Sequence, residues 1–372
     1  MSITNRAIKC RIYPNAEQRI LLAKTFGCSR FAYNKMLELK SKYYNETGKA
    51  LNITPAMLKP EFPFLKEVDS LALCNAQLNL QSAFRKFFKS NAGYPKFKKK
   101  QIAQSYTTNN QRGTIFIIDN HIKLPKVGLI KIKLHRNIPN NWHIKSVTVS
   151  RNSCSKFYVS ILFEFEHNVE PHSTEKFVGL DFSMHELYLS SDGEMANYPK
   201  LYRAAQNKLA KEQRKLSKCV YRSNNYYKQK LKVAKIHEKI SNQRMDFLHK
   251  LSRMITNSYD VVCIENLDMK AMSQALNFGK SVSDNGWGMF TTFLDYKLTY
   301  EGKRLIKIDK WFPSSQICNV CGYKNTQTKD LSLRKWICPV CHTNHDRDIN
   351  AAINIKNEGM RLLLSQNNNI KP

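Results

Sequence analysis

Four cysteines near the C-terminal end constrain the fold of this chain more than any other feature. They form two Cys-x-x-Cys pairs with sixteen residues between the pairs: Cys318 with Cys321, and Cys338 with Cys341. A zinc ion takes four thiolates tetrahedrally, and each pair can place two sulfurs on one side of the ion. Gly322 after the first pair and Pro339 inside the second suit the tight turns that this spacing requires. We therefore predict a zinc ribbon that contributes to folding rather than to catalysis.

Two histidines, His342 and His345, follow the second cysteine pair. Once four thiolates hold the ion neither ring is needed as a ligand, and we expect each at the surface or facing a phosphate. The six remaining cysteines are scattered singly, unlike those of a short secreted scaffold. Lys9 and Arg11 lie where a signal peptide would be apolar. These features predict a protein of a reducing cytoplasm.

The charge of the chain is strongly one-sided, with 60 Lys and Arg residues against 29 Asp and Glu residues and a net charge of +31. Such an excess attracts polyanions. Nucleic acid is favoured over a membrane because no apolar run approaches the roughly 18 residues of a spanning helix. Residues 200–253 hold sixteen basic and three acidic residues. A solvated helix face usually mixes both signs, so this stretch predicts a surface that follows a nucleic-acid backbone.

The residues predicted to contact nucleic acid come from three parts of the chain. They are Lys96, Lys98, Lys99 and Lys100 in a basic run, Arg214, Lys215, Arg222, Lys228, Lys230 and Arg244 in the basic stretch, and Arg347 near the C-terminal end. For each of them the alternative interpretation is an ordinary solvated charge.

Three carboxylates occupy unusual positions. Asp181 lies inside the apolar run VGLDFS, Glu265 ends the run DVVCIE, and Asp348 opens a helix in HDRDINAA. A carboxylate in an apolar strand costs several kcal/mol unless it is paired or holds a cation. Magnesium binds a few carboxylate oxygens together with water and substrate phosphates, and two such ions can support phosphodiester hydrolysis. We therefore predict that the three acids converge on catalytic magnesium.

Other acids compete for these roles. Asp346 lies two residues before Asp348, which we favour because it begins the helix proper, and Asp309 at the end of a strand is a weaker rival. For any one acid alone, a capping or salt-bridged residue is the simpler interpretation. We expect Asp192 to belong to a turn and Asp268 to cap a helix.

The N-terminal part reads as a strand followed by helices. Residues 6–12 alternate as a short strand, and Asn15 with Gln18 predicts a capped helix start. The apolar spacing supports two helices broken near Gly27, which leaves open a DNA-reading helix-turn-helix or an ordinary helical pair. A stripe of Leu and Phe over residues 70–89 predicts another helix with a buried face.

Short β-like segments separated by turn residues follow at 114–118, 130–134, 144–150 and 158–166, which suggests a small barrel or sandwich. After a linker at 167–176, the order becomes hairpin strands, a long polar helical stretch, a strand, a helix, a strand and a final helix. This is the order of an RNase H-like fold. We predict a mixed α/β and α+β protein, in which a helical region and a small barrel or sandwich precede an RNase H-like domain that contains the zinc ribbon.

The motifs resemble the TnpB (OrfB) family, the RNA-guided nucleases of small insertion sequences that are related to type V CRISPR effectors. The resemblance covers about residues 6–357. The motifs that carry it are RIYPNAEQ, FGCSRFAYN, GYPKFKKK, IKLPKVGLIKIKLHRNIP, VGLDFS, NQRMDFLHKLS, IENL, PSSQICNVCG with CPVC, and DRDINAAINI.

The resemblance implies a division of the chain. Residues 1–13 would be the first strand of a wedge β-barrel, 14–95 a helical recognition insert, 96–171 the rest of the barrel, 172–313 a RuvC-like nuclease domain, 314–342 the zinc ribbon, 343–360 a final RuvC-like helix and 361–372 a disordered tail. Asp181, Glu265 and Asp348 would be the RuvC-type catalytic acids with two Mg²⁺ ions, and the four cysteines would hold one structural Zn²⁺.

The resemblance also implies the partners and the host. They would be a guide RNA from the end of the element and double-stranded target DNA, cut beside a short motif while base pairing reads the remaining sequence. The host would be bacterial or archaeal, with the protein at the nucleoid when it is on DNA. Ser183 stands where many relatives have Gly, and the C-terminal segment is short. A regulator that binds without cutting is the main alternative, and a strand-transfer transposase is disfavoured because no tyrosine stands out as a nucleophile.

Overall fold

The computed structural model describes residues 2–90, 92–100, 104–170, 175–274, 284–330 and 332–368. The chain divides into two compact units, Met1–Asn168 and Val169–Pro372. Residues 171–174 of the predicted linker lie outside the described residues. Among the described helices, none is long and apolar enough to cross a membrane.

The N-terminal unit is built on a seven-stranded antiparallel sheet. Its strands are β1 (Ser2–Tyr13), β2 (Gln104–Asn109), β3 (Phe116–Ile118), β4 (His121–Leu124), β5 (Gly128–Lys133), β6 (His143–Arg151) and β7 (Phe157–His167). The order across the sheet is β2-β6-β7-β1-β5-β4-β3. The strands β2 and β3 are outermost and are not paired with each other in the described parts of the chain. The barrel therefore stays a prediction.

The helices of this unit are α1 (Ala16–Thr47), α2 (Pro55–Leu58) and α3 (Ser70–Lys89), with a short 3-10 turn at Pro63–Lys66. The predicted capping box is confirmed, since Asn15 Oδ1 accepts from the Gln18 backbone N–H at 2.8 Å and Gln18 Oε1 accepts from the Asn15 backbone N–H at 3.0 Å. The predicted break near Gly27 is wrong, because α1 continues through it. A glycine inside a helix costs only about 1 kcal/mol relative to alanine, and the buried Phe26 and Ala32 anchor the helix on either side.

The C-terminal unit contains a four-stranded mixed sheet. Its strands are β8 (Phe177–Ser183), β9 (Leu187–Ser190), β10 (Val261–Glu265) and β11 (Arg304–Ile308), in the order β11-β10-β8-β9. The pairs β8–β10 and β10–β11 are parallel, and β8–β9 is an antiparallel hairpin. Buried parallel strands are continuous apolar runs, which is why the sequence of β8 and β10 reveals them.

The predicted basic helical stretch is an α-helical hairpin. Helix α4 (Leu201–Ser217) and helix α5 (Asn224–Ser258) pack together, and Ser223 caps α5 by accepting from the Tyr226 backbone N–H at 3.1 Å. A short helix, α6 (Met269–Gln274), follows β10, and α7 spans Trp287–Tyr300 as predicted.

The ribbon and the last helix complete the unit. The ribbon hairpin consists of β12 (Lys335–Ile337) and β13 (Asn344–Asp346), and β13 runs directly into α8 (Arg347–Asn368). The predicted disordered tail from residue 361 is corrected by this helix, which continues to Asn368 because Leu363 is buried against the sheet. Residues 369–372 lie outside the described part.

The two faces of the sheet pack against different helices. Leu180 and Ile264 belong to a core with residues of α5 and α7. Successive side chains of a strand point to opposite faces, so the alternate positions, Gly179 and Cys263, face the other side. Helix α8 covers that side, with Ile355 and Leu363 packed on the sheet.

Candidate active site and metal centre

Two of the predicted acids lie side by side on the sheet. The parallel register pairs Gly179 with Cys263 and Leu180 with Ile264, so Asp181 and Glu265 are the next residues on adjacent strands. Both share the face of Gly179 and Cys263, the face that α8 covers. Neighbouring strands lie about 4.8 Å apart, which brings the two carboxylates close together.

The third acid reaches this face because α8 approaches the sheet closely. A Cβ added at Gly179 would overlap the carbonyl oxygen of Ala352, so only glycine allows this contact. Asp348 lies one helical turn before Ala352, and Asp181 lies two strand residues beyond Gly179, distances of about 6 Å and about 6.6 Å. The helix start is thereby brought to the two strand acids.

The pKa of Asp181 is affected by the two other acids. Burial, followed by the charges of Glu265 and Asp348, raises the pKa of Asp181 well above its usual value. The Arg347 guanidinium and a backbone hydrogen bond at Phe182 oppose the rise. An anion that burial and like charges disfavour is stabilised by a cation, and hard oxygen donors favour Mg²⁺ over softer metals.

Glu265 and Asp348 each have a protein partner. The Ser314 hydroxyl donates to Glu265 Oε1 at 2.6 Å, and burial raises the pKa of Glu265 while this hydrogen bond lowers it. Arg334 of the ribbon donates to Asp348 Oδ2 at 2.9 Å. Sequence reasoning missed Ser314 and Arg334, whose only signal is their position in and beside the cysteine motifs.

The rival acids have other roles. Asp346 Oδ1 accepts from the backbone N–H groups of Asp348 and Ile349, at 3.0 and 3.2 Å, and so caps α8. Asp309 accepts from the Trp311 backbone N–H at 2.7 Å in the turn after β11. The expected cap at Asp268 is confirmed, since its Oδ1 accepts from the Ala271 backbone N–H at 3.0 Å.

The four cysteines form a compact thiol cluster whose sulfurs all lie within 4.8 Å of one another. The Cys318–Cys341 and Cys321–Cys338 sulfur distances are 3.6 and 3.5 Å. Zinc–sulfur bonds of about 2.3 Å require sulfur–sulfur edges of about 3.8 Å, so the cluster fits a tetrahedral zinc ion. Among the described residues, this cluster is the group whose metal-ligating atoms gather this tightly, and the three acids are more open.

The two cysteine turns have the same backbone geometry. The Gly322 N–H donates to the Cys318 carbonyl at 2.9 Å, and the His342 N–H donates to the Cys338 carbonyl at 2.9 Å. Gly322 and His342 both have left-handed φ angles, of 77° and 56°. The Thr343 hydroxyl and backbone N–H lower the pKa of Cys341, which favours the thiolate that zinc requires.

The histidines differ from each other. His342 is exposed, as predicted. His345 is buried, which corrects the prediction that it lies at the surface, and its Nε2 is 3.1 Å from Cys318 Sγ. Its ring packs on Trp336 with a centroid distance of 4.6 Å. The position of His345 on β13 directs its ring inward, which the residue spacing alone does not reveal.

Two asparagines of α8 join the ribbon to the helix that carries Asp348. Asn350 Nδ2 donates to the Ile317 carbonyl at 2.7 Å, and its Oδ1 accepts from the Asn319 N–H at 3.0 Å. Asn354 Nδ2 donates to the carbonyls of Ser314 and Ile317, at 2.8 and 2.6 Å. Both side chains are buried. The segment that holds Ser314 against Glu265 is thus bonded to α8.

Most predicted nucleic-acid contacts are exposed. The exposed residues are Lys96, Lys98, Lys99, Lys100, Arg214, Lys215, Arg222, Lys228 and Lys230. Lys98 also lies over the ring of Tyr33, 4.2 Å from its centroid. Lys215 pairs with Glu212 at 3.0 Å.

Two predicted contacts are enclosed by the protein. Arg244 is corrected, because it pairs with the buried Asp284 at 3.3 Å and therefore stabilises the fold instead of extending to solvent. Arg347 is 9% exposed, and its Nε has no hydrogen-bond partner within the described ranges. Its charge acts on Asp181.

Comparisons with known proteins identify families and a fold that this chain resembles. A family described as "Probable transposase" matches residues 160–276, a "Cas12f1-like, TNB domain" matches residues 287–355, and a "Helix-turn-helix domain" matches residues 1–49. The last range contains β1 and the uninterrupted α1. A protein in the solved Cas12f1–sgRNA–target DNA complex matches 95% of this chain and 99% of its own, with a TM-score of 0.61 and 12% identity. That likeness shows a shared fold.

Two relatives span nearly the full length. A "Putative RNA-guided DNA endonuclease" of Streptomyces pristinaespiralis is 34% identical over 368 residues, which cover 97% of this chain and 90% of the relative. The Escherichia coli K12 "Putative RNA-guided DNA endonuclease InsQ" is 30% identical over 381 residues, which cover 96% of this chain and 93% of the relative. Identity at this level over both whole chains shows the family. The chain belongs to the TnpB (OrfB) family.

Proposed function

We propose that this protein is an RNA-guided, Mg²⁺-dependent DNA endonuclease that cuts target DNA next to a short motif. The observation that carries the proposal is the convergence of Asp181, Glu265 and Asp348 from two strands and a helix start. The names of the full-length relatives support RNA guidance and DNA as the substrate. The strand order β11-β10-β8-β9 supports an RNase H-like, RuvC-type nuclease domain. The N-terminal sheet would form the wedge barrel.

The three acids would hold the magnesium ions, with Ser314 keeping Glu265 oriented. Bound magnesium would supply an activated water and a stabilised leaving oxygen, giving a 5′-phosphate and a 3′-hydroxyl. Arg334 and Arg347 bring positive charge to the acids, where the scissile phosphate would lie. The guanidinium groups can thus balance the charge of a phosphate as it approaches the three carboxylates.

The basic hairpin of α4 and α5 would hold the guide RNA and its heteroduplex. Exposed Arg222 and Lys230 lie over the rings of Tyr221 and Tyr226, at 5.2 and 5.9 Å from the ring centroids. Cations held on aromatic rings suit a backbone-tracking surface. The thiol cluster would hold one structural zinc ion.

Asp181→Ala tests the active site. With guide RNA, Mg²⁺ and a plasmid carrying the matching target, the variant should lose cleavage at least about a thousandfold, because one metal-holding carboxylate is gone. Binding of guide RNA and target should be retained. Asp295→Ala, which removes an exposed acid on α7, is the matched control and should cut normally.

Three results would contradict the proposal. Undiminished cleavage by Asp181→Ala would remove these acids from the chemistry. Absence of any discrete RNA that co-purifies with the chain would argue against RNA guidance. Binding of target DNA without cleavage by the unaltered chain would favour a regulator.

A further inference from the structure

Trp311 is an exposed aromatic residue that the proposed function does not use. It is 79% exposed, whereas Trp287 and Trp336 are buried. Tryptophan is usually highly buried, so this exposure makes Trp311 a candidate contact residue. The Lys310 ammonium lies 4.8 Å from the centroid of the Trp311 ring. An aromatic face with a cation beside it is the arrangement on which nucleic-acid bases stack.

Both ends of the turn that carries Trp311 lie beside Glu265, one of the three proposed catalytic acids. Ile308, the last residue of β11, pairs with Glu265 in the parallel register. Ser314, at the other end, donates to Glu265 Oε1 at 2.6 Å. Trp311 is three residues from either end, and three residues span at most about 10 Å. The indole is therefore tethered close to the acids.

The turn is braced so that its tryptophan stays outside. The Phe312 N–H donates to the Asp309 carbonyl at 3.1 Å, and the Trp311 N–H donates to the Asp309 carboxylate at 2.7 Å. Phe312 packs against the core formed by Val261, Ile308 and their neighbours. A surface held in place before binding loses little entropy when a ligand arrives.

We propose that Trp311 is a binding site for an unpaired nucleobase of the DNA strand that is cut. The base stacks on the exposed indole face, and the strand beside it then runs past Glu265. An unpaired base is favoured because a paired and stacked base has no free face to offer. The proposal rests on the proposed function, since it places the substrate strand at the three acids.

The test measures binding without cleavage. The full-length, zinc-loaded chain is titrated, without Mg²⁺, with a short oligothymidylate and with an abasic oligomer of the same length and charge. Oligothymidylate should quench the tryptophan emission, and the abasic oligomer should not. Trp311→Phe should abolish this quenching while keeping the affinity, because phenylalanine still stacks.

The decisive comparison is Trp311→Leu. It should bind oligothymidylate about tenfold more weakly and bind the abasic oligomer as the unaltered chain does, because leucine keeps apolar bulk without a stacking face. Leu364→Ala, which alters an exposed apolar residue of α8, is the control and should change neither affinity.

Several outcomes would overturn the proposal. If Trp311→Leu weakened the binding of both oligomers equally, the loss would come from altered charge or folding and not from stacking. Quenching that persists in Trp311→Phe would assign the signal to another tryptophan. Stacking can fail while Asp181-dependent cleavage persists, and it can persist when guided cleavage is absent. Failure of this inference is therefore distinguishable from failure of the proposed function.

Discussion

The thiol cluster and the acidic site are two candidate metal centres built in opposite ways. The four cysteines come from one short stretch, 318–341, and their sulfurs lie within 4.8 Å of one another. The three acids come from two strands and a helix start between Asp181 and Asp348, and two of them bond to protein partners. Softer, polarisable thiols can gather through local turns, whereas carboxylates that repel one another need a scaffold.

This difference teaches what each centre depends on. Zinc binding should stabilise the ribbon, because the free energy of binding adds to the free energy of folding. The ribbon is also local, since each cysteine turn is closed by its own backbone hydrogen bonds. The acidic site depends on the distance between α8 and the sheet and on the ribbon that contacts that helix. Loss of the first centre should therefore damage the second, while loss of magnesium should leave the thiol cluster intact.

The largest effect is expected for Cys338→Ala. Structural zinc contributes on the order of 10 kcal/mol to folding of such a unit, so removal of one thiolate should release zinc and unfold the ribbon. Because β13 leads directly into α8, cleavage should be lost as well. Metal analysis and thermal melting measure this, with the exposed Cys74→Ala as control. Full cleavage by a zinc-free variant would separate the two centres.

Gly179→Ala is expected to have the next largest effect. A Cβ there would overlap the Ala352 carbonyl oxygen and must displace α8. We expect a loss of about 3 kcal/mol of folding stability and strongly reduced cleavage with zinc retained. Gly288→Ala in α7 has no atom within 4 Å of its new Cβ and should stabilise by about 0.5–1 kcal/mol. Normal cleavage by Gly179→Ala would show that α8 can shift without cost to the acids.

Much of the acidic site is predictable from the sequence because buried parallel strands have a strong signal. The apolar runs around Asp181 and Glu265 predicted β8 and β10, and the cysteine spacing predicted a thiol cluster, which the structure confirms. The helix of Asp348 was predicted as well, although its end was not, because Leu363 is held by contacts distant in sequence.

The unpredicted features share one physical cause, which is that their partners are far apart in the chain. In the sequence, Ser314 and Asn354 have no feature that distinguishes them from ordinary polar residues. In the structure, Ser314 contacts Glu265 and Asn354 contacts the ribbon. Arg244 read as a surface charge because its partner, Asp284, is forty residues away. Strand β2 is polar, and it is stabilised by pairing with β6, which lies far along the chain.

Asn354→Ala tests whether the ribbon holds the acidic site through α8. The change leaves the carbonyls of Ser314 and Ile317 without this donor, at a cost of about 1–3 kcal/mol. Zinc should be retained and cleavage should fall, because Ser314 no longer holds Glu265 in place. The exposed Asn357→Ala on the same helix is the control for both measurements. Unchanged cleavage with a lower melting temperature would confine Asn354 to stability.

Lys297 is a buried charged residue of α7, the helix that packs on the sheet face opposite α8. Because it lies outside both candidate metal centres, its effect on stability measures the cost of burying a charge in the protein alone. Its ammonium donates to the His249 carbonyl at 2.8 Å and to the Ser252 hydroxyl at 2.7 Å. Burial, assisted by Arg253 and opposed by Glu301, lowers the pKa of Lys297 to about 8 from 10.5.

The smallest effect is expected for Lys297→Met. Between pH 8 and 10.5 the unfolded chain binds the lysine proton that the folded chain has released, so the contribution of Lys297 to stability rises with pH across this window and falls as the pH is lowered through it. Lys297→Met should remove that rise and gain about 1–2 kcal/mol at pH 7 relative to the unaltered chain. Denaturant unfolding of both chains at pH 7, 8 and 9.5 measures the difference. Parallel stability curves would mean that burial imposes little cost on the Lys297 charge.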